Sequence, residues 1–340
     1  MTDFGEFARA GVPDPTRPFA INGEASDEGL IYDVSKDLTA AIDVALGLGR
    51  PLLVTGEPGS GKTTLGYAIA RRLGIARAYL FVTKSTSEAR DLFYRYDALG
   101  RFRDAQAGEK SNAADYLAYQ ALGAAILDAH HPDEIAHLSV GRSHGWLPPK
   151  DPCRSLVVID EIDKASRDFA NDILVEIEKL QFDVPELTTT GAAGRQVPRS
   201  PQFPDPALRP VVVVTSNAER PLPDAFLRRC VYVEAVFPDD ERLLAILDVT
   251  LKKRLGAAWV GGVTGAAQIA PLLDHVQTFR KDPAVTKRPG LSEVIDAATA
   301  FVAPKTSHDR WDMVGSALAK TREDRLIWAD LFPARDPAAG

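Results

Sequence analysis

Apolar residues cluster along the first two thirds of the chain in short, nearly continuous runs. These are Pro51-Leu52-Leu53-Val54-Thr55, Tyr79-Leu80-Phe81-Val82-Thr83, Leu156-Val157-Val158-Ile159, Val211-Val212-Val213-Val214 and Val231-Tyr232-Val233. Runs without polar alternation predict strands buried on both faces, as in a parallel sheet covered by helices. The stretches between them carry helical periodicity. Ser35 can cap a helix running to about Leu48, with Leu38, Ile42 and Ala45/Leu46 on one face. A second helix is predicted over Lys62–Leu73. A third, over Lys164–Leu180, places Phe169, Ile173, Ile177 and Leu180 at helical spacing and so against the sheet. From Pro238 onward the strands stop. The pattern there predicts helices over Asp239–Leu255, Thr264–Phe279, Leu291–Phe301, His308–Leu318 and Arg322–Leu331.

Chemistry enters at the end of the first strand. Gly56-Glu57-Pro58-Gly59-Ser60-Gly61-Lys62-Thr63 is a G-x-x-x-x-G-K-[ST] phosphate-binding loop, placed after a strand and before a helix as the motif requires. Glycines let successive backbone N–H groups turn inward around phosphate oxygens, and the following helix adds its positive end. Lys62 would reach the β- and γ-phosphates, and the Thr63 hydroxyl would ligate Mg²⁺, with Thr64 next along the helix. The expected ligand is a nucleoside triphosphate.

The run at 156–159 ends in Asp160-Glu161. At the carboxyl end of a parallel strand, Asp160 can hold Mg²⁺ and Glu161 can polarise a water for in-line attack on the γ-phosphate. The run at 211–214 ends in Thr215-Ser216-Asn217, whose amide could orient that water. Leu222–Cys230 is a short helical stretch carrying Arg228 and Arg229 before the last strand. An arginine supplied to a neighbour's γ-phosphate stabilises transition-state charge; the competing view is a solvated basic helix end.

Together these elements resemble the AAA+ ATPases, most of all their MoxR-like branch. The likeness is carried by GEPGSGKT, LVVIDE, TSN followed by Glu219-Arg220-Pro221-Leu222-Pro223, and AFLRRC, and covers about residues 30–303. It implies an α/β P-loop NTPase fold, a three-layer α/β/α parallel sheet followed by a small α-helical lid. By position, Lys62 and Thr63 belong to Walker A, Asp160 and Glu161 to Walker B, and Asn217 to sensor 1. Arg229 matches the family's arginine finger, with Arg228 as the alternative. In the lid, the usual slot for the sensor 2 arginine holds an apolar residue, so Arg288, just ahead of the helix, is the candidate. The resemblance further implies ATP with Mg²⁺ as cofactors, ATP hydrolysis, a homo-oligomeric ring, hexameric in form, and a protein client that turnover remodels.

The same likeness divides the chain into an arm or linker over residues 1–29, an α/β domain over 30–237, an α-helical lid over 238–331 and a flexible tail over 332–340. Ile31–Val34 would line the adenine. An insertion at about 104–150 and a hairpin before sensor 1 at about 182–197 would face the ring's pore or a partner. His130, His131, His137 and His144 fall in the insertion without a metal-like spacing and read as solvated loop histidines.

Composition narrows the partners. Of 340 residues, 45% are hydrophobic and 26% charged, as in an ordinary globular protein. A net charge of −7 disfavours nucleic acid and anionic membranes as partners, although the arginines between Arg90 and Arg103 keep open a nucleic-acid motor or the NTPase subunit of a restriction system. A nucleotide switch without turnover is a third reading, and Glu161 speaks against it. The two cysteines, Cys153 and Cys230, form no metal-like pair. With no apolar signal region and no run approaching 18 apolar residues, a cytoplasmic protein is expected.

Overall fold

The computed structural model describes residues 4–27, 32, 34–108, 112–138, 146–191, 194–203, 205–303 and 310–333. The chain divides into two compact units, one of Met1–Thr55 with Lys62–Glu234 and one of Gly56–Gly61 with Ala235–Gly340.

In the first unit, strands β1 (Ala20–Ile21), β2 (Glu24–Ala25), β3 (Leu52–Thr55), β4 (Arg77–Val82), β7 (Leu156–Asp160), β10 (Val211–Ser216) and β11 (Val231–Glu234) form one sheet. Its order is β11-β3-β10-β7-β4-β1-β2. Every pairing is parallel except that of β1 with β2. Strands β7 and β10 are buried along their apolar length, which is why they carry no alternation. Helices of this unit are α1 (Glu6–Arg9), α2 (Lys36–Leu48), α3 (Lys62–Arg72), α4 (Ala98–Gln106), α5 (Ala121–Asp128), α6 (Arg167–Lys179) and α7 (Asp224–Leu227). Ser35 accepts from Leu38 N–H and caps α2 as expected. A single-turn 3-10 helix at Ile162–Lys164 precedes α6, which Ser166 caps, so the expected helix from Lys164 begins later.

The N-terminal stretch expected to be an arm or linker is partly built into the sheet. Asn22 and Gly23, both at positive φ, turn the chain between β1 and β2, and β1 pairs with β4. Arg71 donates to Ser26 O and lies 4.4 Å over the Phe19 ring, while Asp43 accepts from Phe7 N–H at 2.7 Å. Apolar burial of Phe7 and Phe19, rather than periodicity, holds this segment. Part of the insertion expected at about 104–150 packs into the core. Strands β5 (Tyr94–Tyr96) and β6 (Leu117–Tyr119) pair antiparallel with α4 between them, and every residue of α5 is buried. Buried Asp128 there accepts from Tyr79 Oη, Ser155 Oγ and Arg77, and burial pushes its carboxyl up. His130 is also buried, with Nδ1 2.9 Å from Ile126 O, contrary to a solvated loop histidine; His144 lies outside the described residues. No cluster of His, Cys, Asp or Glu among the described residues is placed to hold a metal. The hairpin expected at 182–197 is present as β8 (Thr189–Gly191) paired with β9 (Gly194–Gln196), continued by Asp183 opposite Arg199.

The second unit is helical: α8 (Asp240–Leu255), α9 (Gly262–Lys281), α10 (Leu291–Val302), α11 (Arg310–Leu318) and α12 (Arg322–Leu331). Leu247, Leu272, Val276, Phe279, Val294 and Val314 form its apolar centre. Buried Asp324 accepts from the backbone N–H groups of Thr286 and Lys287 and anchors the turn that leads to α10. Residues 308, 309 and most of the expected tail lie outside the described residues. None of the described helices is long and apolar enough to cross a membrane.

Candidate active site

Side chains far apart in sequence meet at the carboxyl ends of β3, β7 and β10 in the first unit. Asp160 closes β7, Thr63 opens α3 in its first turn, and Asn217 follows β10. Thr63 Oγ1 donates to Asp160 Oδ1 at 2.9 Å. Thr215 Oγ1 donates to the same oxygen at 2.5 Å and accepts from the Glu161 N–H at 3.0 Å. Asn217 Nδ2 donates to Glu161 Oε1 at 3.2 Å. Lys62 is buried, and Thr64 half-buried, on α3.

Glu161 is held in an unusual backbone state. Its φ of 57° and ψ of 48° are left-handed, a conformation that costs a non-glycine residue about 1–3 kcal/mol and persists only where the surroundings enforce it. The enforcing contacts are visible. Thr215 takes the Glu161 N–H, and buried Asp163, two residues on, accepts from Asn217 N–H at 3.3 Å and Glu219 N–H at 3.0 Å. The turn after β7 and the turn after β10 are thereby tied together. The turn swings the Glu161 carboxylate to the Asn217 amide. Lys164, which ends the 3-10 turn, places Nζ 2.5 Å from Glu161 Oε2.

The two arginines lie elsewhere. Both follow α7 and precede β11, at the amino end of the sheet, and both are exposed. β11 runs beside β3 with Val231 opposite Leu52 and Glu234 opposite Thr55. At about 3.3 Å per residue, Arg229 sits roughly 15 Å from the level of Glu234 and Thr55. It lines an open cleft of about 1040 Å³ with Arg50, Arg154 and Arg209. Arg154 is tied to Glu6 and Arg209 to the Gly49 carbonyl, whereas Arg229 has no side-chain partner among the described residues.

In the second unit, Gly56, Gly59 and Gly61 take φ of 149°, 73° and 87°, the region that turns successive N–H groups to one side of a loop. Glu57 and Pro58 are exposed, while Ser60 is buried with no hydrogen bond to its Oγ. That orphaned hydroxyl in a loop of inward-turned amides fits a phosphate oxygen as its missing partner. Leu291 N–H donates to Gly59 O at 2.9 Å, and a Cβ on Gly290 would meet Pro58 O at 2.4 Å, so only glycine permits this approach. Arg288 is exposed just ahead of α10. The arginine on the loop is Arg280, which donates to Glu57 Oε2 at 2.7 Å and to Pro289 O and lies over the Phe237 ring.

Residues 51–230, more than half of the chain, match the family model of the AAA domain, dynein-related subfamily. The chain belongs to this AAA family. No curated protein matches it. Among solved structures, the AAA chain is similar to the FIGL-1 AAA domain in complex with ADP (17% identity, 85% of this chain and 74% of that one, TM-score 0.37). It is also similar to C. elegans PCH-2 (16% identity, 81% and 70%, TM-score 0.36). A mutant RuvB of Thermotoga maritima aligns at 17% identity with a TM-score of 0.34; that match covers 65% of this chain and spans about half, 52%, of RuvB.

Thr215, Asp163 and Lys164 in the candidate site, and Arg280 on the glycine-rich loop, were not singled out from the sequence. Thr215 was within reach, because it sits inside the motif that carries Asn217, whereas Asp163 and Lys164 stand two and three residues past Glu161, outside the LVVIDE run. Arg280 gave no such signal, since it is far from the loop in sequence. For Thr215, replacement by the isosteric Val removes the bridge between Asp160 and the Glu161 N–H. That leaves a donor unpaired in a buried place, at a cost of about 1–3 kcal/mol. Thr215→Val is expected to lower the melting temperature by several degrees and to slow turnover at saturating nucleotide; an unchanged melt and rate would refute the role given to the bridge.

Proposed function

We propose that this AAA domain hydrolyses ATP within a homo-oligomeric ring, hexameric in form, and couples the turnover to remodelling of a protein client in the manner of MoxR-like proteins. The observation that carries the reading is the Thr63–Asp160–Thr215–Glu161–Asn217 network, which brings two hydroxyls, two carboxylates and an amide together at the carboxyl ends of neighbouring strands. Thr63 and Asp160 offer hard oxygen donors side by side, a set that suits Mg²⁺. Bound there, the ion would neutralise charge on the β- and γ-phosphates. Lys62 and the loop amides hold the phosphates. Glu161 takes a proton from the attacking water, and Asn217 keeps the Glu161 carboxylate aimed. Arg229, about 15 Å from its own strand ends, serves the site of a neighbouring copy, which is why a ring belongs to the mechanism. Arg288 serves as the lid's sensor 2 arginine.

A nucleic-acid client is the second reading, favoured by one observation. On and beside α4, Arg95, Arg101, Arg103, Leu99 and Phe102 are all exposed, a basic and aromatic surface of the kind that stacks bases. Retention of single-stranded DNA that falls steeply with salt would favour it over a protein client.

The test is ATP hydrolysis against protein concentration, with and without Mg²⁺. Specific activity is expected to rise with concentration and to vanish with a chelator. Specific activity that stays flat with concentration would refute the inter-subunit arginine, and metal-independent turnover would refute the Thr63–Asp160 assignment.

A further inference from the structure

The Glu161 carboxylate is engaged on both oxygens: Oε1 accepts from Asn217 at 3.2 Å and Oε2 from Lys164 Nζ at 2.5 Å. An ammonium at that distance occupies the lone pair on Oε2 that a base would turn to a water. As long as the pair is closed, both carboxylate oxygens are engaged and Oε2 is not free to receive a water. The backbone cannot relieve this. Thr215 fixes the Glu161 N–H, Lys164 N–H donates to Glu161 O at 2.9 Å, and Asp163 pins the turn between them to Asn217 and Glu219. Freedom remains only in the side chains, and the Lys164 side chain is 45% exposed.

We propose that Lys164 is a gate on Glu161, a positioning residue whose ion pair holds the base idle and whose departure frees it. The inference rests on the hydrolytic reading above and names a regulation of that same site. In the open state the water oxygen bonds to the γ-phosphorus and the bond from that phosphorus to the β–γ bridging oxygen breaks. The bridging oxygen leaves with the electron pair on the diphosphate, and one water proton passes to Glu161 Oε2. Lys164 has somewhere to go. Glu219 and Asp163 also act electrostatically on its ammonium and, behind Glu161, favour its charged form, so the swung-out side chain remains in an acidic field. Because the pair is partly exposed, opening is an easy thermal event and the gate changes rate by a modest factor.

The experiment is single-turnover hydrolysis by the full chain at saturating ATP and Mg²⁺, at protein concentrations where the rate no longer rises. Wild type is compared with Lys164→Met, Lys164→Gln, Lys164→Arg and Glu161→Gln. Both neutral variants are expected to hydrolyse about two- to fivefold faster with unchanged nucleotide affinity. Their advantage should shrink toward one as salt rises from about 20 mM to about 300 mM, since screening opens the wild-type pair. Lys164→Arg keeps the cation and should keep the wild-type salt dependence; a merely structural lysine would show none of these salt effects. If wild type turns over, Glu161→Gln does not, and both neutral variants equal wild type or fall below it, the gate is overturned alone. If neither wild type nor the neutral variants hydrolyse ATP, the hydrolytic reading and the gate fall together.

Discussion

Glu161→Gln is expected to bind ATP as wild type does and to hydrolyse it at least about 10²-fold more slowly, the usual scale of a lost general base. The substitution keeps size and the hydrogen bond from Asn217 Nδ2 to Oε1, and it leaves the Glu161 N–H on Thr215. What it removes is the capacity to accept a proton. The ion pair with Lys164 also goes, but that pair is partly exposed and its loss costs little in stability. The measurement is nucleotide affinity by fluorescence titration beside steady-state turnover on the same preparation. A Gln variant that turns over near the wild-type rate would remove Glu161 from the chemistry and leave its left-handed backbone without a functional reason. Weakened binding with a normal melt would instead mean that the residue contacts the ground-state nucleotide.

Much of this site was legible because the chain states it locally. A phosphate loop needs its glycines and lysine at fixed spacing, and the burial of β7 and β10 on both faces leaves polar residues only at their carboxyl ends, where Asp160 and Asn217 stand. Thr215, Asp163 and Lys164 were overlooked because their roles are relational. A threonine in a strand and two charged residues in a turn look ordinary until the fold stacks one turn on the other. The N-terminal hairpin was legible in part. Asn22-Gly23 is a favoured two-residue turn, but strands of two residues give no period to read. In α5 the run Ala121–Leu127 is apolar all round, a sign of a buried helix, set within an otherwise polar stretch that reads as surface. Arg280 is beyond any local signal: its place on Glu57 depends on a helix more than two hundred residues away in sequence.

Arg229→Ala is expected to leave ATP binding intact and to lower turnover by about 10³-fold or more at concentrations where wild type is stimulated. Geometry assigns the effect to a neighbour, because Arg229 starts at the amino end of β11 while Asp160 and Thr63 lie beyond the opposite end of the sheet. No arginine side chain spans that distance. Arg228→Ala serves as the internal control. Both side chains are exposed, but only Arg229 lines the cleft with Arg50 and Arg154, so the Arg228 variant should retain most activity. The reverse ranking would move the finger by one residue. A mixing experiment separates a trans role from a local defect. Glu161→Gln subunits lack the base but keep the arginine, and Arg229→Ala subunits keep the base but lack the arginine. Mixed in equal amounts, about a quarter of head-to-tail interfaces would join an intact base to an intact arginine. Turnover should therefore reappear in the mixture although each variant alone is inactive. Continued silence of a mixture shown to co-assemble would mean that Arg229 acts within its own chain, and the ring would lose its mechanistic necessity.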